Sequence, residues 1–236
     1  YLIAKEILDR ETGLIAVIVA SFSFYLVYAS RWLSNPTPMF LISVLIFWTM
    51  LGSLKKNTYW PLASFLAGMA IQFGSAADIF YVPAIVIIAI WNRKNLTKRV
   101  VIVSFLSFFL TFMPQIVFDF KHNQVLSNQI KKFLFQEESF KLSFWGVVKI
   151  RFSFYFDVFT SKIWPGNKGN LWPFFLVGLG AILFNLKKLS KNKGFILLII
   201  LLISPIVGML FFQGNYGNIY DYYFTGYYLI FVLLFS

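Results

Sequence analysis

The chain has 236 residues, of which 59% are hydrophobic and 13% are charged, and its formal net charge is +12. Its mean hydropathy is +0.74. Soluble domains contain roughly 25% charged residues, so this composition argues against a soluble enzyme, a disordered tail and a soluble repeat protein. The apolar residues fall in long runs, such as residues 195–212, which predicts a polytopic membrane protein built from helices.

The sequence contains no cysteine and one histidine, His122. Disulfides, thiolate nucleophiles, cysteine-type zinc sites and clusters of several histidines are therefore excluded. The chain begins at Tyr1 and ends at Ser236, inside an apolar run. We therefore expect a piece of a longer membrane protein, with residues 1–236 forming one partial transmembrane domain.

Eight apolar segments predict an all-α bundle of about eight membrane spans, with the last span truncated. The charged segment 1–13 precedes them as the end of an earlier element and a turn. The third and fourth segments are shorter than the roughly 20 residues that cross a bilayer, which leaves a shallow hairpin, a tilted pair or displaced boundaries open. The predicted spans are residues 14–30, 37–54, 59–73, 79–91, 100–118, 171–186, 194–212 and 223–236.

The basic residues predict how these spans are oriented. Three alternate loops contain ten basic residues and no acidic one, whereas the other side has nine basic and six acidic residues. By the positive-inside rule the three loops are cytoplasmic. Most of the positive charge then reflects topology and not binding of nucleic acid. The ten residues are Lys55, Lys56, Arg93, Lys94, Lys98, Arg99, Lys187, Lys188, Lys191 and Lys193.

One predicted connection, residues 119–170 on the outer side, is much longer than the others. Within it, residues 141–164 show helical periodicity with an apolar face and a polar face. This pattern predicts an amphipathic helix lying in the membrane interface, either as a structural brace or as one wall of an entrance for a lipid substrate. The predicted apolar face consists of Trp145, Val148, Phe152, Tyr155, Phe156, Phe159 and Ile163.

Ionisable side chains gather at the outer ends of the predicted spans. Asp119, Lys121 and His122 follow the fifth span, Asp78 separates the third from the fourth, and Arg31 follows the first. Charges so near the hydrocarbon are costly unless they are paired or functional. A carboxylate near a histidine can bind a divalent metal or act as a general base, and Arg31 and Lys121 could neutralise a phosphate. Each charge also has an ordinary interpretation as an interfacial ion pair or a solvated loop charge.

Four stretches occur in an order that resembles a known family. The first contains the corner Tyr28, Ser30, Arg31, Asn35 and Pro36, and the others are LAGMAIQFGSAADIFYVPAIVIIAIWNRKN, FMPQIVFDFKHN and IYDYYFTGYYLIFVLLF. Together they resemble the bacterial membrane glycosyltransferases of the C type (GT-C), in the branch of the protein O-mannosyltransferases and lipid A aminoarabinose transferases.

One departure concerns the second stretch. Many relatives have a histidine soon after the glutamine of this helical hairpin, whereas Gln72 is followed here by Phe73 and Gly74. A role for a histidine at that position is therefore lost or moved.

The resemblance implies inverting transfer of a sugar from a polyprenyl-phosphate donor to a lipid, glycan or protein acceptor, on the outer face of a bacterial inner membrane. Relatives use an acidic catalytic residue in the first external loop, which would precede Tyr1, so no catalytic residue is assigned. The resemblance also implies that Arg31 and Lys121 bind the donor phosphate. Asp119 and His122 would orient the donor, contact the sugar or bind one divalent metal ion. Asp78, Gln72 and Tyr222 are second-rank candidates for contacts with the substrate.

Other functions remain open at this stage. A transporter or lipid flippase also has many spans and intramembrane charges, although the charges here are sparse in the middle of the spans. Another polyprenyl-lipid enzyme, such as a glycan polymerase or ligase, and a membrane scaffold are further alternatives. For the glycosyltransferase, we expect Arg31, Asp119, Lys121 and His122 to converge on one outer-facing cavity with Asp78 and Tyr222 on its rim.

Overall fold

A computed structural model describes residues 1–31, 34, 36–135, 144–163, 168–212 and 218–236. All regular secondary structure in these residues is helical, which confirms the all-α class. The α-helices are α1 Leu2–Ile7, α2 Arg10–Phe22, α3 Phe24–Arg31, α4 Met39–Ser53, α5 Trp60–Phe73, α6 Tyr81–Trp91, α7 Lys98–Leu110, α8 Met113–Lys121, α9 Val125–Phe135, α10 Phe144–Ile163, α11 Lys168–Phe184, α12 Leu186–Leu189, α13 Lys193–Gly208 and α14 Tyr228–Phe235. Short 3₁₀ helices cover Asn57–Tyr59, Ala76–Phe80, Arg93–Asn95 and Asp221–Tyr227. Asn35, part of the predicted corner, lies outside the described residues.

No single helix in the described part of the chain is long and apolar enough to cross a membrane. Two helix pairs meet the requirement together but are bent, α2 with α3 by 67° and α7 with α8 by 55°. They occupy the positions of the predicted spans 14–30 and 100–118, which the sequence pattern presents as continuous. The count of eight spans therefore stays a prediction.

Each bend has a local cause. Ser23 has extended backbone angles between α2 and α3, and its hydroxyl donates a 2.8 Å hydrogen bond to the carbonyl of Lys162 in α10. In the second pair, Pro114 occupies the first turn of α8. Proline has no backbone N–H to bond to the preceding turn, so it favours the start of a new helix over continuation of α7.

The core is built around α4 and α5. Met39, Ile46 and Phe47 of α4 are fully buried. Helix α5 packs closely against α7 because Gly68 has no side chain: a Cβ there would lie 3.0 Å from the carbonyl oxygen of Phe108. Small residues at a helix contact allow two backbones to approach in this way.

Helix α10 shows that the long connection contains a helix, and its place in the membrane interface stays a prediction. Of its predicted apolar face, Tyr155, Phe159 and Ile163 are buried within the protein, whereas Trp145 is 77% and Phe152 is 59% exposed. Other residues of the helix also pack against the rest of the protein. These are Val147, Arg151, Val158 and Thr160, all buried. Residues 141–143 and 164 of the predicted helix lie outside the described residues.

The three basic loops meet at one end of the bundle. The Asn57 side chain donates to the carbonyl of Asn95, which joins the first loop to the second. The Asn192 side chain donates a 2.6 Å hydrogen bond to the carbonyl of Ile7, which joins the third loop to α1. Lys55 forms a 2.5 Å ion pair with Glu6 of α1. We call this surface, formed by residues 55–57, 92–99 and 187–193 together with α1 and the first turn of α2, the basic end.

Candidate functional site

Two 3₁₀ helices meet away from the basic end, since α5 leads away from that end and α6 returns to it. We call them the Asp78 segment (Ala76–Phe80) and the Tyr223 segment (Asp221–Tyr227). The Ser75 hydroxyl, just before the Asp78 segment, donates to the carbonyl of Tyr223 at 3.0 Å. The Tyr227 hydroxyl donates to the carbonyl of Ala77, also at 3.0 Å. These bonds hold together two segments that are distant in sequence.

Asp78 lies inside this contact. Its Oδ2 accepts hydrogen bonds from the backbone N–H of Ser75 at 2.8 Å and from the Ser75 hydroxyl at 3.2 Å. Its Oδ1 has no hydrogen-bond partner among the described residues, and a Cβ at Gly226 would lie 2.7 Å from it. The side chain is fully buried. The carboxyl group thus caps its own turn and packs against Gly226, and the expected place of Asp78 beside a substrate cavity stays a prediction.

Gln72 connects the end of α5 to the bend between α7 and α8. Its side-chain amide donates to the carbonyl of Thr111 at 3.3 Å, and its side-chain oxygen accepts a hydrogen bond from the amide of Gln115. The side chain of Gln72 is thus engaged in holding three helices together.

Asp119 and His122 make local contacts. Asp119 accepts hydrogen bonds from the backbone N–H groups of Leu126 at 2.7 Å and Ser127 at 3.2 Å, and from the Ser127 hydroxyl. It therefore satisfies donors of the first turn of α9, which would otherwise lack partners. His122 Nδ1 lies 2.8 Å from the carbonyl of Phe118, and its ring stacks on the Phe118 ring at 4.0 Å. Among the described residues, no three His, Cys, Asp or Glu side chains are placed to hold a metal ion.

Arg31, Lys121 and Tyr222 are the exposed members of the candidate set. Arg31 ends α3 and Lys121 ends α8. Tyr222 is 43% exposed, and its ring stacks on that of Tyr220 at 5.6 Å. No hydrogen bond or ion pair within the described part of the chain joins Arg31 to Asp119 or His122. Their convergence on one cavity stays a prediction.

Sequence reasoning missed an ion pair beside these residues. The Lys162 ammonium lies 2.7 Å from the Asp221 carboxylate and 4.5 Å from the centre of the Tyr25 ring. The Tyr228 hydroxyl donates a 2.8 Å hydrogen bond to the backbone carbonyl of Asp221. The sequence placed both charges on the outer side, but nothing in their spacing predicted that they would pair.

A cavity of about 700 Å³ lies between α1, α2, α4 and α14. Its walls are mostly apolar and include Val17, Leu45, Trp48 and Leu229. None of the seven candidate residues lines it. The cavity therefore does not collect the polar groups that were expected to share one site.

A family model matches the first half of the chain. Residues 1–118, half of the chain, match the model of the family described as dolichyl-phosphate-mannose-protein mannosyltransferase. No curated protein and no solved structure matches the chain. The matched half contains Arg31, Gln72 and Asp78, whereas Asp119, Lys121, His122 and Tyr222 follow it.

Proposed function

Because the chain belongs to the dolichyl-phosphate-mannose-protein mannosyltransferase family, we propose that it transfers a sugar from a polyprenyl-phosphate donor to an acceptor at the outer face of a bacterial inner membrane, with inversion. The family consists of integral membrane glycosyltransferases that depend on lipid-phosphate-linked sugars. The match over residues 1–118 carries the proposal. The acceptor classes that fit this reaction are a lipid, a glycan and a protein.

Charge at the leaving group is the first requirement of this reaction. As the bond between the sugar and the lipid phosphate breaks, the phosphate gains negative charge, so cations already in place lower the barrier. Arg31 and Lys121 are exposed and end helices away from the basic end. We assign them to the donor phosphate, since guanidinium and ammonium groups form charge-assisted hydrogen bonds with its oxygens.

Positioning is the second requirement. Asp78 holds the turn before α6 against the Tyr223 segment, which presents Tyr222 at the surface. Gln72 holds the bend that precedes α8, and α8 ends at Lys121. We therefore assign Asp78 and Gln72 as positioning residues, and Tyr222 to direct contact with the donor. Displacement by 1 Å of groups at a reacting centre can cost two orders of magnitude in rate.

The contacts of Asp119 and His122 do not favour binding of a divalent metal ion. Asp119 already accepts hydrogen bonds from the first turn of α9, and the His122 ring stacks on Phe118. We therefore propose that Asp119 and His122 shape the loop beside Lys121, where they can contact the sugar. The acceptor still requires a general base, for which a carboxylate is suited.

The test uses the full-length protein in liposomes with a panel of polyprenyl-phosphate sugars that carry radiolabelled sugar. We expect transfer from at least one donor. Arg31→Ala and Lys121→Ala should each lower kcat/KM for the donor by about 10- to 100-fold, the range for loss of a charged hydrogen bond. Lys131→Ala, which removes an exposed lysine of α9, is the matched control and should keep full activity. Failure to transfer from every donor, or equal losses in the control, would contradict the proposal.

A further inference from the structure

The basic end contains two basic residues in addition to the ten of the three loops. Lys5 of α1 and Arg10 of α2 add to it, so twelve basic side chains face three acidic ones, Glu6, Asp9 and Glu11. All twelve basic residues are exposed. Lys55 pairs with Glu6, and within the described residues none of the other eleven lies within 4.0 Å of a carboxylate.

Two of the three acidic residues of this end already have partners within the protein. Glu6 is the partner of Lys55. Asp9 is the N-cap of α2, where it accepts hydrogen bonds of 2.8 Å from both the backbone N–H and the hydroxyl of Thr12. These hydrogen bonds lower the pKa of Asp9 below its usual range. With twelve basic and three acidic residues, this end keeps a formal net charge of +9.

Aromatic side chains border the basic end on the side of the bundle. Trp48 and Tyr59 pack edge to face with ring centres 5.5 Å apart, next to the first basic loop. Trp91 precedes the second loop and is 44% exposed. Tryptophan and tyrosine favour the boundary between headgroups and hydrocarbon.

Beyond the basic loops, the outer surfaces of α6 and α7 are apolar, with aliphatic residues and, in α7, also Phe105 and Phe109 exposed. Exposed residues there include Ile87, Ile90, Val101 and Ile102. From the end of the bundle towards its middle, the surface therefore changes from basic to apolar, with Trp48, Tyr59 and Trp91 near the boundary. A phospholipid leaflet presents the complementary order of charged headgroup, interface and hydrocarbon.

From this layering we propose that the basic end binds the headgroups of anionic phospholipids, and that this binding stabilises the folded protein. Lysine and arginine form charge-assisted hydrogen bonds with lipid phosphates, and a lipid without net charge lacks the field that attracts twelve cations. An acidic soluble protein or a nucleic acid would match the charge but not the apolar surface beside it. The proposal is independent of the sugar, of the acceptor and of the glycosyltransferase activity.

The test measures the thermal midpoint of the full-length protein in neutral detergent, with added phosphatidylglycerol or phosphatidylcholine of the same acyl chains. We expect phosphatidylglycerol to raise the midpoint by several degrees, phosphatidylcholine to leave it unchanged, and the difference to shrink at high salt. Lys187→Gln/Lys188→Gln should reduce the difference, and Lys187→Arg/Lys188→Arg should keep it. The control is Lys131→Gln/Lys132→Gln, another adjacent pair of exposed lysines, which should behave like the wild type.

Three results would overturn the proposal. The first is equal stabilisation by both lipids. The second is an equal loss in the Lys131/Lys132 control. The third is stabilisation by a short oligonucleotide as large as that by phosphatidylglycerol at the same salt concentration, which would make this end a general polyanion surface.

Discussion

The hydroxyl of Tyr81 donates a 2.8 Å hydrogen bond to the carbonyl of Gly226, a residue 145 positions further along the chain. The Tyr81 ring also stacks on that of Tyr227, with ring centres 4.6 Å apart and planes at 11°. Both tyrosines are fully buried. The start of α6 and the Tyr223 segment therefore form one packed unit, and the position of Tyr222 depends on it.

Removal of the Tyr81 hydroxyl should destabilise this unit. Tyr81→Phe keeps the ring stack but leaves the buried Gly226 carbonyl without this donor, which typically costs about 1–3 kcal/mol in the free energy of unfolding. Denaturation of the purified protein in mixed micelles measures the change. Tyr220→Phe removes a hydroxyl from a tyrosine that is 43% exposed and should have little effect. A Tyr81→Phe variant as stable as the wild type would show that the hydrogen bond contributes nothing.

Two variants should distinguish the effect of the Asp78 charge on stability from the effect of its role as a cap. Asp78→Asn keeps an oxygen that can accept from the Ser75 N–H and removes any negative charge from a fully buried site, so we expect stability equal to or above that of the wild type. Asp78→Ala removes the acceptor and should lower the free energy of unfolding by about 1–3 kcal/mol. If Asp78→Asn is less stable than Asp78→Ala, this would indicate that the carboxylate has a partner.

A larger side chain at Gly68 should separate α5 from α7. Gly68→Val places its Cβ 3.0 Å from the Phe108 carbonyl oxygen, closer than carbon and oxygen normally approach, and overpacking of this kind costs about 1–3 kcal/mol. The thermal midpoint should fall accordingly.

Gly180 of α11 provides the matched control for Gly68. A Cβ added there has no neighbour within 4 Å. Gly180→Ala should therefore leave the fold intact and gain roughly 0.5–1 kcal/mol from helix propensity. A fall in stability of the Gly180 variant as large as that for Gly68→Val would mean that packing against α7 is not the cause.

Helix α10 shows what the sequence can and cannot determine. Its periodicity predicted a helix, and the structure contains one. Its aromatic residues occur on more than one side, so the period did not decide which of them pack inward. Trp145 is exposed although it is large and apolar, and Arg151 is 2% exposed although it is charged. The Arg151 guanidinium donates a 3.4 Å hydrogen bond to the carbonyl of Phe212, a long-range partner that no local pattern reveals.

The candidate site shows the same limit at Asp119. An aspartate near a histidine suggests chemistry, but the same residue can cap the next helix, and Ser127 completes the cap here. Which role the carboxyl group takes depends on where α9 begins, and the sequence gives that boundary only approximately. The pairing of Lys162 with Asp221 could not be predicted from the sequence either, because it depends on how α10 packs beside the Tyr223 segment.

The orientation of the bundle can be tested directly because the chain has no cysteine. Lys56→Cys, Lys94→Cys and Lys191→Cys each place one thiol in a different basic loop, and Asn128→Cys places one on α9. All four positions are exposed. We expect an impermeant maleimide to label Asn128→Cys in intact cells and the three loop variants only after permeabilisation, since basic loops remain in the cytosol.

The contacts of Asn57 with Asn95 and of Asn192 with Ile7 hold the three loops at one end, so their thiols should be labelled under the same conditions. If all three loop variants are labelled in intact cells, the orientation is the opposite of the predicted one. If only one of them is labelled, the three loops do not lie on the same side, which would also contradict the shared basic end.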